Sequence, residues 1–178
     1  MTRSELEHLI RAAGAIADDD EIVVIGSQAV LGQFPAAPAA LRKSVEAGVY
    51  PRNRPERSDL IDGAIGEGSQ FHEQFGYYAQ GVGGATATLP AGWQKRLVRI
   101  GSANTGRTAG LCLEVHDLAI SKYVAGRDKD LAFTAVLARR GMTRKQTLLD
   151  RAASTRLGPS IRKAVEDRIA RDFATKRR

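Results

Sequence analysis

The apolar run Ile22-Val23-Val24-Ile25 ends in Gly26-Ser27, and about twenty residues later comes Arg42-Lys43-Ser44-Val45-Glu46-Ala47-Gly48-Val49-Tyr50. A buried strand that ends in Gly-Ser can cradle phosphate. Glycine lets the backbone approach an anion, and a helix opening at Ser27 would aim free N–H groups at it. A second strand bearing carboxylates beside that cradle would supply the metal of a nucleotidyl-transfer site. That chemistry calls for two carboxylates spaced i, i+2 on one strand face. Here the pair is Glu46 and Gly48, so the second position has no side chain.

The elements that must position these residues follow from pattern. Ser4-Glu5-Leu6-Glu7 reads as a capping box opening an amphipathic helix with Leu6, Leu9, Ile10, Ala13 and Ile16 on one side. Asp18-Asp19-Asp20 reads as the turn that ends it. Residues 21–25 are the first strand, a short helix runs from Ser27 until Pro35, and residues 44–50 are a second strand broken by Pro51. The middle is rich in glycine. It holds a helix over 59–65, a turn near Phe71-His72-Glu73-Gln74, and strands at 77–82, 96–100 and 111–115. Gly81-Val82-Gly83-Gly84 fits a hairpin or wide turn better than a phosphate loop. From His116 the period is helical, with a break at Gly126, a stop at Gly141, a second capping box at Thr143–Gln146 and a last helix opening at Gly158-Pro159. The expectation is an α/β fold: a mixed sheet packed by helices over 1–140, then a basic helical segment over 141–178.

Composition narrows the class. The chain has 178 residues, 43% hydrophobic and 26% charged, which suits a folded domain with a real core. No apolar run approaches the roughly 18 residues of a membrane span, and Met1-Thr2-Arg3-Ser4-Glu5 does not open a signal peptide, so a cytoplasmic protein with no membrane partner is expected. Cys112 is the one cysteine, and its apolar neighbours mark it as a buried strand thiol. No histidine has a Cys/His partner at zinc spacing; His8 reads as a surface residue and Trp93 as a core anchor. The net charge of +7 is uneven: residues 1–138 hold 14 Lys/Arg against 16 Asp/Glu, and residues 139–178 hold 13 against 4. The C-terminal basic segment is therefore either a solvated helical face or a contact for RNA or another polyanion.

Three stretches together resemble a known family. They are Gly26-Ser27-Gln28-Ala29-Val30-Leu31; Leu41 to Pro51; and His116-Asp117-Leu118-Ala119-Ile120-Ser121-Lys122 running into Gly126-Arg127-Asp128-Lys129-Asp130-Leu131. Their order and spacing resemble the bacterial nucleotidyltransferase-like proteins related to AbiEii-type toxins of abortive-infection systems. The resemblance implies a nucleotidyltransferase-like fold that binds an NTP with Mg²⁺ or Mn²⁺ and transfers NMP to an RNA, protein or small molecule. It implies that Gly26 and Ser27 cradle phosphate, with Arg42 and Ser44 beside them, and that Glu46 binds the metal. Glu46 otherwise reads as a strand carboxylate paired with Arg42 or Lys43. The second family ligand falls on Gly48, which departs from the pattern, and Glu114 is the candidate for a later carboxylate. Lys122 would act on the β- or γ-phosphate as a second catalytic residue, with Arg127 also binding nucleotide; Asp130 reads as a helix cap or an orienter of Arg127. The family setting implies a cognate antitoxin or partner protein, or a role in phage defence. The departure at Gly48 equally fits a catalytically degenerate relative that binds a nucleotide, nucleic acid or partner.

Overall fold

The computed structural model describes residues 1–174. It is mixed α/β, as the pattern requires. Five strands form one sheet in the order β3-β2-β1-β5-β4: β1 (Glu21–Val24), β2 (Glu46–Pro51), β3 (Tyr78–Gly81), β4 (Val98–Ile100) and β5 (Ala109–Cys112). The central strand β1 runs antiparallel to β2, with Val24 opposite Val49, and parallel to β5, with Val24 opposite Cys112. The outer pairs are β2–β3, parallel, and β4–β5, antiparallel.

The chain divides into two compact units. The first comprises Met1–Thr86 and Arg96–Glu114; the second comprises Ala87–Lys95 and the residues from Val115 onward. The expected boundary at 140 falls within the second unit. The first unit holds the sheet with α1 (Arg3–Ala17), α2 (Val30–Gln33), α3 (Ser58–Ile65) and α4 (Gln70–Phe75). Its core is apolar: Leu6, Leu9 and Ile10 of α1, Ile22 and Val24 of β1, Val49 of β2 and Ile61 of α3 are all fully buried. The second unit is helical, with α5 (Val115–Ala125), α6 (Asp128–Arg139), α7 (Lys145–Ala153) and α8 (Pro159–Asp172). Leu118, Tyr123, Leu137, Leu148, Val165 and Ile169 fill its core. Buried polar groups there are tied together. The Tyr123 and Thr134 hydroxyls both donate to Asp172 Oδ2 at 2.9 Å, and Arg151 Nε lies 3.2 Å from the buried Asp117 carboxylate.

The first capping box is displaced from its expected place. Thr2 caps α1, accepting from Glu5 N, and Glu5 accepts from Thr2 N at 2.6 Å. Ser4 and Glu7 have the same spacing, but Glu7 is drawn into an i,i+4 pair with Arg3 Nε and tertiary bonds with Ser102 Oγ and Asn104 Nδ2. The second expected box does not form either. Arg144 is the N-cap of α7 with no side-chain bond, Thr143 is buried, and Gln146 donates to Asp150. His8 is half-buried rather than on the surface: its ring packs against Phe71 and Phe75, and Nδ1 lies 2.8 Å from the Tyr77 hydroxyl. Burial, with help from the Arg11 charge, lowers its pKa. Trp93 is half-buried, not a core anchor. Cys112 is the buried strand thiol expected, and burial pushes its pKa up to about 12.

The acidic turn is a structural hub. Asp19 is buried, and its carboxylate accepts from the backbone N–H groups of Glu21 (3.0 Å), Asn53 (2.7 Å) and Arg54 (3.1 Å) and from Asn53 Nδ2 (2.9 Å). Burial works to raise its pKa, but these bonds outweigh it and hold the pKa below the usual carboxylate value. Asp19→Ala is expected to cost about 2 kcal/mol, the scale of hydrogen bonds to a charged group. Because the folded-state pKa is the lower one, this stabilisation is present above the unfolded pKa of roughly 4 and is lost as pH falls through the folded value. Urea unfolding of both proteins should show the gap at pH 7 and its closure in acid; a gap that persists in acid would refute the ionic account.

Candidate functional site

The end of the sheet where β1 stops gathers the first unit's candidates. β1 runs into Gly26-Ser27. β2 is antiparallel to it and so begins at the same end, with Glu46 its first residue. β5 is parallel to β1 and ends there too, and the half-buried Glu114 lies two residues past its last residue, Cys112. Two backbone bonds past the strand ends keep the three segments in register: Ile25 N to Gly48 O at 3.0 Å and Leu113 N to Val24 O at 3.1 Å.

Gly26 and Gly48 face each other. A Cβ on Gly26 would stand 3.0 Å from Gly48 N, tighter than a side chain tolerates without a shift. Glycine at 26 thus lets β2 pass close beside the turn; a side chain there would need the β2 backbone to give by a few tenths of an ångström. A Cβ on Gly48 would point back at Gly26, 3.6 Å from its N and 3.9 Å from Val82 Cγ2, which is ordinary contact. Alternation along β2 puts Glu46 on the Gly48 face, so the Glu46 side chain leaves the strand on the side where the turn lies.

Ser27 does not open a regular α-helix. Residues Ser27–Ala29 form a 3₁₀ turn, with Ala29 N bonded to Gly26 O, and α2 adds only four residues. The helix dipole is correspondingly short, and the local amides and hydroxyl carry any anion recognition. Gln28, fully buried, sets the serine: its Nε2 reaches Ser27 Oγ at 3.3 Å and Leu41 O at 3.4 Å, while its buried Oε1 has no partner.

Glu46 is half-exposed and forms no ion pair among the described residues; Tyr78 donates to its Oε2 at a long 3.4 Å. The pairing with Arg42 or Lys43 is not made, because Arg42 Nε donates to Ala37 O at 2.7 Å. Ser44 serves the backbone: its hydroxyl bonds the N–H and C=O of Glu46, which fixes the start of β2. Among the described residues, no three His, Cys, Asp or Glu side chains cluster to hold a metal.

Lys122 and Arg127 belong to the second unit, and Asp130 holds both. Its carboxylate lies 3.1 Å from Lys122 Nζ and 2.6 Å from Arg127 Nε, with only 2% of its side chain exposed. Burial works to raise its pKa, and Arg127 and Lys122 bring it below the usual value. Asp130 therefore does more than orient Arg127. Spacing carried only half of this signal: Arg127 and Asp130 are i, i+3, but Lys122 is on another helix. Gln28 and Tyr78 were also missed, since no local pattern shows what a buried amide or a neighbouring strand's phenol will reach.

Residues 4–138 match the family described as "Nucleotidyltransferase of unknown function (DUF6036)". The chain belongs to this nucleotidyltransferase family. The match spans the whole first unit beyond Ser4 and continues through most of α6, so it takes in the Gly-Ser turn, Glu46, Lys122 and Asp130. No curated protein and no solved structure matches this nucleotidyltransferase-family chain. Among its described residues, no helix is long and apolar enough to cross a membrane.

Proposed function

We propose that the chain binds an NTP at the Gly26-Ser27 end of the sheet and transfers NMP from it to an RNA acceptor. The observation that carries this reading is the mutual approach of Gly26 and Gly48, which puts the first carboxylate of β2 on the side of a turn suited to phosphate. In the transfer, an acceptor hydroxyl would release its proton to water as its oxygen formed a bond to the α-phosphorus, the bond to the β-phosphate oxygen would break, and pyrophosphate would leave. Ser27 and the turn amides would orient the phosphates, and Glu46 would be the carboxylate for Mg²⁺ or Mn²⁺. Magnesium tolerates one protein carboxylate because it keeps waters and takes phosphate oxygens; bound, it would neutralise charge on the phosphates. The resemblance assigns Lys122 and Arg127 to phosphate as well. The uneven charge favours RNA over a small-molecule or protein acceptor. The likeness to AbiEii-type toxins suggests a bacterial toxin–antitoxin or phage-defence role with a cognate partner protein.

A second reading has its own observation. Gly48 supplies no ligand, and a catalytically degenerate chain that only binds nucleotide or partner would look the same at this sheet end. Calorimetry and label transfer separate the readings. Ser27→Ala is expected to weaken NTP affinity by about 1 kcal/mol, one lost hydrogen bond, without changing the melting temperature. Labelled NTP incubated with Mg²⁺ and total RNA should yield labelled RNA. Unchanged affinity in Ser27→Ala would remove the cradle; binding without transfer would favour the degenerate reading.

A further inference from the structure

The basic C-terminal segment is not uniformly available to a partner. Of its ten Lys and Arg between 139 and 174, five are engaged by the chain itself. Arg151 meets Asp117, Arg162 caps the carbonyls of Ala152 and Thr155, Lys163 pairs with Asp167, Arg168 donates to Tyr123 O, and Arg171 lies beside Asp172. Arg156 stands alone in the α7–α8 loop. The remaining four, Arg139, Arg140, Arg144 and Lys145, crowd the corner between α6 and α7, all exposed and without a side-chain hydrogen bond or ion pair among the described residues.

Three features set this corner apart from an ordinary solvated face. No Asp or Glu occurs between Asp130 and Asp150, and those two carboxylates are taken, by Lys122 with Arg127 and by Gln146. Of the acids on α8, Asp167 is paired with Lys163, and Asp172 accepts from Tyr123 and Thr134. Arg144 and Lys145 sit at the N-terminus of α7, whose first turn has no acid. Cations there oppose the helix dipole, a local cost that favours an external anion as their partner. Finally, the corner is held firmly. Gly141 turns the chain at φ 65°, Met142 N bonds Leu137 O at 2.9 Å, Arg144 N bonds His116 Nε2 at 3.0 Å, and Thr143 and Leu148 are buried beneath it.

We propose that this α6–α7 corner is an RNA-docking surface, with Arg139, Arg140, Arg144 and Lys145 contacting the phosphodiester backbone. The choice of RNA among polyanions rests on the acceptor proposed above; the docking surface itself rests on the corner's charge and rigidity. Backbone contacts of this kind position a strand without reading its sequence.

The test is fluorescence anisotropy with a labelled 20-nucleotide RNA, the matching DNA, and phosphatidylserine vesicles, across a salt series. One full-length variant carries Arg139→Gln, Arg140→Gln, Arg144→Gln and Lys145→Gln. A charge-matched control carries Gln at Arg52, Arg54, Arg99 and Arg107, exposed residues whose partners are Asp18, Asp20 and Glu21. The corner variant should lose about tenfold or more in RNA affinity and flatten the log–log salt slope by about 3 to 4. It should keep its melting temperature and its NTP affinity, while the control keeps most of its RNA binding. Equal losses in both variants, an unchanged corner variant, tighter DNA than RNA binding, or binding to vesicles but not RNA would each overturn the proposal. Corner-dependent RNA binding in a protein with no NTP affinity would instead refute the proposed function and leave the docking surface standing.

Discussion

Gly48→Asp is expected to raise Mg²⁺ affinity about tenfold to a hundredfold, since an added charged ligand contributes on the order of 1.5–3 kcal/mol, and to raise nucleotidyl transfer, from undetectable if the native chain is inactive. The geometry admits the change: the new Cβ would meet Gly26 N at 3.6 Å and Gly26 Cα at 3.8 Å, without collision. Positions 46 and 48 share a strand face, so the two carboxylates would stand side by side. Without metal they repel, and the variant should melt below the native protein. Mg²⁺ should restore the difference, because a ligand bound only by the folded state stabilises it increasingly as its concentration rises above the Kd. Thermal melts with and without Mg²⁺, alongside label transfer, read both effects. Glu46→Ala should remove whatever transfer the native chain has. A folded Gly48→Asp protein with neither Mg²⁺-dependent stabilisation nor transfer would show that Glu46 is not a metal ligand. High native transfer unchanged by Gly48→Asp would put the second ligand elsewhere, with Glu114 the first to test.

The largest loss of stability is expected from a glycine remote from this chemistry. Gly81 ends β3 directly beneath the first turn of α3, and a Cβ there would fall inside the van der Waals shell of the Ser58 carbonyl oxygen. Backbone cannot rotate away as a side-chain tip can. For Gly81→Ala the helix must lift from the sheet, at a cost of about 3 kcal/mol or more. Gly63→Ala, on the same helix with open space around its Cβ, is the control and should not destabilise. Urea denaturation of the two single-methyl additions gives the comparison. Similar midpoints would mean that α3 is not held against β3 as described.

What could be read in the sequence was local. The apolar run into Gly26-Ser27 and the helix stop at Gly141 each announce themselves within a few residues, whereas Pro51, expected to break the second strand, is the last residue of β2, opposite Ile22. Where tertiary demand competes with a local motif, reading failed. Ser4 and Glu7 have capping-box spacing, but Glu7 is taken by Arg3, Ser102 and Asn104, so the box moves to Thr2 and Glu5. The candidate site was legible in part for the same reason. Glu46 lies on a strand next in sequence to the turn, so its position followed from alternation and order. Asp130's hold on Lys122 joins two helices, and Gln28's reach to Leu41 crosses a loop. Neither contact leaves a trace in spacing. The basic segment was visible as charge, but which cations the chain keeps for itself depends on packing alone.

The strand order also governs the order of assembly. α1, β1, β2, α3 and β3 lie within the first 81 residues and can pair as they emerge from the ribosome, whereas β1 must wait for β5, which begins at Ala109, to cover its other side. Long-range parallel pairing is the slow step in such a sheet. Until it closes, the nascent chain displays the unpaired edge of Ile22-Val23-Val24, the most apolar strand of the fold, and its yield in the cell depends on how quickly that edge is shielded from other chains.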